Sequence, residues 1–345
     1  MRNEEKATIS GNSLLKALLL ISLLWAGLFY GSSLILPLLL SAIIAALLDK
    51  PTKRFKKWGF PNWLAISVSL ILMTIILFLL FWLISSQIGS MADDWPEIKE
   101  KASGKYEIFH HWLTSTFQIN PENFLDNNVD MMDKFQSLGK TLISSLSNLL
   151  SQSFIILVYI VLFLMQKKMF ILFFKKLLKN ESAAVHILRE SSNIISNYIF
   201  GKGKIMCFLF VIYYLGFSLG KVPFALFLAL FAALFSIIPY VGNLIGGGMA
   251  IILAYLYSGG NSALIVIAVI AVTQVVENYI LTPWIIGNEI DLNPFITVFG
   301  IILLSVLWGV VGAIIALPIL GVLKVIFEHT KGMEAYAYLM KQHDK

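Results

Sequence analysis

Glu277 is a carboxylate set inside an oily stretch, between the apolar run 263–276 and Tyr279-Ile280-Leu281. A charge at bilayer depth costs roughly 2.5–3.5 kcal/mol on insertion scales, so such a residue faces a partner or a water-filled path. At helical spacing Gln274, Glu277, Asn278, Leu281 and Thr282 share one face, with Thr273 one turn before Glu277. Their donors and acceptors can bind a small polar solute, hold Glu277 protonated in a dry state, or lock two helices together by hydrogen bonds. The first use makes Glu277, Asn278, Gln274, Thr273 and Thr282 the candidate substrate or ion site.

Helix-breaking residues surround this group. Pro239-Tyr240-Val241-Gly242, followed by Asn243, interrupts one apolar stretch; Trp308-Gly309-Val310-Val311-Gly312, followed by Leu317-Pro318, interrupts another. Proline removes an N–H and crowds the preceding turn, and freed backbone groups at bilayer depth are tolerated only where protein or water satisfies them. The breaks therefore point to a cavity lined by Pro239, Tyr240, Gly242, Asn243, Pro283, Pro294, Gly309, Gly312 and Pro318. Two breaks in corresponding places match the repeat pattern by which transporters build a midplane site. The plainer reading is that Gly246, Gly247, Gly248, Gly309 and Gly312 let helices pack closely. Between Pro283 and Pro294 lie Glu289 and Asp291, which serve either as a gate or as solvated loop acids.

Other chemistry finds no foothold. His110 and His111 are neighbours that point to different helix faces, and the sequence shows no zinc-ligand spacing, nucleophile elbow or dinucleotide fingerprint. Gly201-Lys202-Gly203-Lys204 lacks the spacing and the Ser or Thr of a phosphate loop. No enzyme, cofactor or metal centre is expected.

The elements that must carry Glu277 are membrane helices. Of 345 residues 58% are hydrophobic and 13% charged, whereas a soluble domain carries about 25% charge. The apolar run 14–30 follows a short charged head but lacks a small-x-small cleavage site, and a second run follows at once, so it reads as a retained span rather than a signal peptide. The lone Cys207 excludes an intramolecular disulfide and reads as a small buried hydrophobe. Further spans fall near 34–48, 63–88 and 149–166, with shorter runs at 205–219, 224–238, 241–257, 263–281, 295–307 and 310–327. Gly31-Ser32-Ser33 predicts a tight hairpin between the first two.

The net charge of +6 marks sides of the membrane rather than a nucleic-acid partner. Residues 49–57 carry five Lys or Arg against one Asp, which predicts a cytoplasmic loop. Residues 91–148 carry nine acids against five lysines, and Ile98, Ala102, Tyr106, Phe109, Leu113 and Phe117 recur at helical steps. That segment is expected outside, as two amphipathic helices that pack or lie on the membrane. Residues 167–204 carry eight basic residues against Glu181 and Glu190, an inner loop suited to an anionic leaflet. The expected organisation is a 1–90 unit with the hairpin, basic loop and third span; an outer unit, 91–148; a fourth span and basic segment, 149–204; a core with broken helices, 205–330; and a tail, 331–345. Ten passes result if every run crosses; short, broken runs reduce this to about eight crossings in an all-α polytopic protein with both termini cytoplasmic.

Pro239-Tyr240-Val241-Gly242, Glu277-Asn278 with Pro283 and Gly287, Leu292-Asn293-Pro294, and residues 308–318 together resemble the autoinducer-2 exporter family of bacterial permeases. The likeness extends to the N-terminal runs, the basic loop, the outer segment and Tyr198-Ile199-Phe200-Gly201; where family members commonly carry a glutamine after that glycine, this chain has Lys202. The resemblance implies about eight transmembrane helices, the bacterial inner membrane, and a homo-oligomer, of which a pentamer is one candidate form. It also implies export of a small polar signalling molecule, while some relatives exchange sodium or lithium for protons. A secondary transporter is the expectation, a cation/proton antiporter the alternative, and a non-transporting scaffold or receptor the reading of another class.

Overall fold

The computed structural model describes residues 11–94, 96–101, 103–105, 153–178, 181–239, 242–287 and 291–342, and the regular structure among them is helical throughout. Most of the segment 91–148 lies outside the described residues.

Helix α1 (Gly11–Tyr30) is apolar all round from Leu18 onward, and α2 (Ser32–Lys57) follows at once. The amide of Gly31 donates to Gly27 O at 2.9 Å and that of Ile35 to Gly31 O at 2.9 Å. The helical ladder thus passes through Gly31 with a bend, where ψ is 6°. The hairpin expected there is not formed, since beyond the junction the two helices do not pack on each other. A helix apolar all round carries no stripe that dictates where its neighbour must lie. The basic residues 50–57 form the last two turns of α2 rather than a loop.

Small hydroxyl residues hold α2 in the bundle. The Ser41 hydroxyl lies 2.6 Å from Pro37 O and 3.1 Å from Ile156 O; Thr52 donates to Ser69 at 3.1 Å, and Ser196 to Ala46 O at 2.9 Å. Short side chains that bury a hydrogen bond let membrane helices approach closely. Ile66 and Leu70 on α3 (Asn62–Asp93), together with Ile160 on α4 (Ser153–Met165), pack on Leu48. The chain then turns by 70° into the basic helix α5 (Lys167–Leu178), where Lys167 and Lys53 each pair with Asp49 at 2.7 Å.

Helix α6 (Glu181–Leu219) has 39 residues, about 58 Å at the helical rise, and so overruns a hydrocarbon core of about 30 Å. The expected boundary at 204 falls inside it. Lys202 and Lys204 do not end the helix, because lysine is a good helix former and one face of α6 is covered by other helices.

Two fold-backs follow. In the first, α7 (Ala225–Phe235) and α8 (Asn243–Ser258) are antiparallel: a Cβ on Gly246 would lie 2.7 Å from Ala232 Cα, and Ser258 donates to Lys221 O at 3.1 Å. Eleven residues reach only about 16 Å, so α7 enters roughly half the bilayer and returns. Helix α9 (Gly260–Ile285) then runs to the basic end. In the second fold-back, α10 (Pro294–Glu328) breaks at Trp308 (φ −134°, ψ 18°) and Gly309 (φ 63°, ψ −148°), the latter a conformation reserved for glycine. Its arms pack on each other through Gly300 against Leu320 and through Leu304, Leu307 and Ala316. Trp308 Nε1 donates to Leu28 O at 3.1 Å, and the amide of Asn293 to Met340 O at 2.8 Å on α11 (Glu334–Met340).

Five described helices are long and apolar enough to cross a membrane, six with the bent α4–α5 pair. Adding α1 and counting the arms of α10 separately brings the number to about eight. The main core joins α6 to α9 through Leu209, Tyr213, Phe217, Leu228, Leu253 and Val266. Ile98 belongs to it, and Lys101 lies 3.7 Å above the Tyr257 ring, so the start of the acidic segment sits at the open end of the first fold-back.

Candidate functional site

The helical ladder is widened at two places that face one another. Asn243–Gly247 and Glu277–Leu281 are π-helical turns, a feature found most often at functional sites. The second has a local cause, since Pro283 has no N–H to return to the turn before it. In the first, a Cβ on Gly242 would meet Ala232 O at 2.4 Å and Ser236 N at 2.6 Å, so only glycine lets α8 start against α7. A polar chain ties α6 to the first turn and the first turn to α9 just ahead of the second: the Tyr213 hydroxyl donates to Asn243 Oδ1, and Asn243 Nδ2 donates to Gln274 Oε1.

Glu277 stands at the first position of the second turn, 6% exposed, and its partner is Lys202 of α6, 7% exposed, with Nζ donating to Oε1 at 2.7 Å. Two buried opposite charges at this distance form a charge-assisted bond, and each depends on the other to offset its loss of water. Both line a cavity of about 250 Å³ with Tyr198, Ser236, Pro239, Gly242, Asn243, Gln274, Asn278, Thr282 and Leu317. Tyr198, one turn before Lys202, is 5% exposed, and its hydroxyl has no hydrogen-bond partner among the described residues. A buried hydroxyl in that state costs about 1–3 kcal/mol, which a ligand in the cavity would recover.

Of the residues picked from sequence, Gln274, Glu277, Asn278, Thr282, Pro239, Gly242 and Asn243 meet in this cavity. Thr273 does not: it is fully buried, and its hydroxyl donates to Val269 O at 2.6 Å. Pro283 is exposed, and Pro294 starts α10 behind the Asn293 cap. Gly309 and Gly312 belong to the tip of the α10 fold-back, and Pro318 is buried beside the lining residue Leu317. These positions shape the helices rather than line the path. Tyr240 and Glu289 lie outside the described residues. Lys202 and Tyr198 were missed as site residues. By charge alone Lys202 groups with the basic segment 167–204; the signal that sets it apart is a lysine in place of a common glutamine.

Asp291 lies in a second cavity of about 600 Å³ at the basic end, with Asn193, Asn197, Lys324 and Glu328, and pairs with Lys324 at 3.6 Å. Ile286 and Gly287 line both cavities and separate them. A Cβ on Gly201 would lie 2.8 Å from Ile286 Cγ1. Gly201→Ala is therefore expected to push Ile286 toward the cavities and slow passage several-fold, with less than about 1.5 kcal/mol lost in stability because a side chain can yield. Transport rate beside the thermal unfolding midpoint checks this.

Comparison with known proteins bears on what such a cavity is for. The chain is 21% identical to the AI-2 transport protein TqsA of Escherichia coli K12 over 98% of both chains. It is 23% identical to the putative transport protein YhhT of the same organism, over 96% of this chain and 95% of that one. It is 31% identical to the putative transport protein YrrI of Bacillus subtilis, over 48% and 46%. The model of the AI-2E family transporters matches residues 17–332, and with that match across nearly its whole length this chain, a multi-pass membrane protein, belongs to the AI-2E transporter family.

Proposed function

We propose that the chain exports a small, neutral, hydroxyl-rich solute of the autoinducer-2 furanone type, bound between α6, α8 and α9. The observation that carries this is the unpartnered Tyr198 hydroxyl beside the buried Lys202–Glu277 pair. With its ion pair internally neutralised, the cavity offers a polar solute donors and acceptors rather than net charge. Its volume of about 250 Å³ lies just under the range of ordinary ligand pockets, which limits the solute to a few rings' worth of atoms at most. TqsA, named an AI-2 transport protein and 21% identical to this chain, supports that class of solute.

In this reading the basic end, with residues 50–57 and α5, faces the cytoplasm of a bacterium, and the larger cavity is the inner vestibule. The lining groups act in order. Solute enters past Ile286–Gly287, exchanges water for Tyr198, Asn278 and the ion pair, and leaves when the α7–α8 fold-back shifts against α9. The same pair favours a second reading, in which a monovalent cation takes the place of the ammonium on Glu277 and Lys202 releases a proton.

Proteoliposomes separate the two. Furanone uptake that saturates, falls at least about tenfold in Tyr198→Phe (one lost buried hydrogen bond to a bound solute, about 1.4 kcal/mol), and is indifferent to a sodium or proton gradient supports the first reading. Proton release on adding sodium or lithium, with no furanone uptake, replaces it by the second.

A further inference from the structure

Outside the transport cavity, three metal-binding side chains converge at the basic end. His186 and Glu190 are one turn apart on α6, and His329 follows the last residue of α10. Glu190 Oε2 lies 3.2 Å from His186 Nδ1 and 3.9 Å from His329 Nε2, and the three ligand atoms are all within 4.8 Å of one another.

The protonation pattern suits a cation. His329 Nδ1 is 2.9 Å from Val325 O, and a carbonyl can only accept, so Nδ1 carries a proton and Nε2, on the Glu190 side, is the ring nitrogen left to hold a metal. This is the arrangement in which a backbone carbonyl orients a ligating histidine. Glu190 Oε2 is buried yet makes no well-formed hydrogen bond among the described residues. The two imidazole rings lie 5.0 Å apart at 38° around that one oxygen. Charged rings at this spacing repel each other, whereas neutral rings can share a metal ion.

We infer that His186, Glu190 and His329 bind a borderline first-row divalent cation of the zinc class, with a fourth position open to water. Two imidazoles and a carboxylate suit such an ion, and bonds of about 2.0–2.2 Å at tetrahedral angles separate ligand atoms by about 3.3–3.5 Å. The observed spacings, all within 4.8 Å, must close toward that range when the ion binds. The seam beneath is already packed, with Ile187 and Ile194 of α6 against Val325 of α10. Since Glu190 also lines the larger cavity, the ion ties α6 to α10 at the mouth of that cavity, whatever solute passes through it.

The test uses full-length protein in detergent, with affinity tag removed and stripped by chelator. Zinc is titrated by calorimetry and cobalt by its visible absorption. One saturable equivalent is expected, with an intense tetrahedral cobalt band. His186→Ala, His329→Ala and the isosteric Glu190→Gln should each weaken binding by about tenfold or more, as losses around a metal site do. A variant lacking the other candidate ligands, with Cys207→Ser, His110→Ala, His111→Ala and His343→Ala, should bind as the parent does. Glu190→Gln guards against misfolding, since its shape is unchanged and its elution on gel filtration should match the parent. No saturable binding in the parent, undiminished binding in the three site variants, or loss confined to the control variant would overturn the proposal.

Discussion

Lys202→Met is expected to lower stability by about 3–5 kcal/mol, because it leaves Glu277 buried without a counter-charge. The carboxylate then has three ways out: to take a proton, to draw water into the cavity, or to turn α9 away from α6. Each disturbs the two π turns, and solute transport should fall below detection. The double variant Lys202→Met, Glu277→Gln removes both charges, so its unfolding midpoint should return to within a few degrees of the parent while transport stays absent. Lys202→Gln should fall between, since an amide can still donate to Glu277 without neutralising it. Thermal unfolding in detergent, read with proteoliposome uptake, checks all three. Parent-like stability and transport in Lys202→Met would remove the pair from both folding and mechanism.

The second large effect is steric. A Cβ on Gly312 would lie 1.9 Å from Leu304 O and 2.7 Å from Leu304 C. Those are backbone atoms of the opposing arm of α10 and cannot swing aside as a side chain does. Overpacking a core costs about 1–3 kcal/mol where side chains absorb it, and more is expected here, so Gly312→Ala should yield little folded protein. Gly248, inside α8, has nothing within 4 Å of its would-be Cβ. Gly248→Ala should be neutral or stabilise by about 0.5–1 kcal/mol through lower chain entropy in the unfolded state. Comparing the two by yield of monodisperse protein and by unfolding midpoint tests the fold-back itself. Equal stability would mean that the arms of α10 do not meet as described.

Both predictions turn on tertiary contacts: Lys202 meets Glu277 75 positions away, and Gly312 meets Leu304 only because α10 folds back on itself. The break at Trp308–Gly309 was legible, because glycines and a nearby proline inside an apolar run are local signals. That α10 returns on itself, so that Gly312 serves its own preceding arm and not the path, was not. The junction at Gly31 misled in the opposite direction: a small-residue pause resembles a turn, yet the ladder continues through it. Gln274, Glu277, Asn278 and Thr282, which helical spacing puts on one face, all line the smaller cavity. Thr273 failed because a hydroxyl can satisfy itself on the carbonyl four residues back and need face nothing.

The solvent, the helical class, the charge asymmetry of the two ends and the need of Glu277 for a partner are all legible in composition and spacing. These follow from transfer free energies and helical period, which are properties of a residue and its near neighbours. Helix packing makes Lys202, 75 positions away, the partner, brings the Tyr198 hydroxyl to the same cavity, and sets residues of both widened turns on its wall. A helix in lipid is free to rotate about its axis as far as hydropathy is concerned. Its rotation is set by packing against other helices, and that packing turns a lysine counted as a surface charge into the buried counter-charge of the cavity.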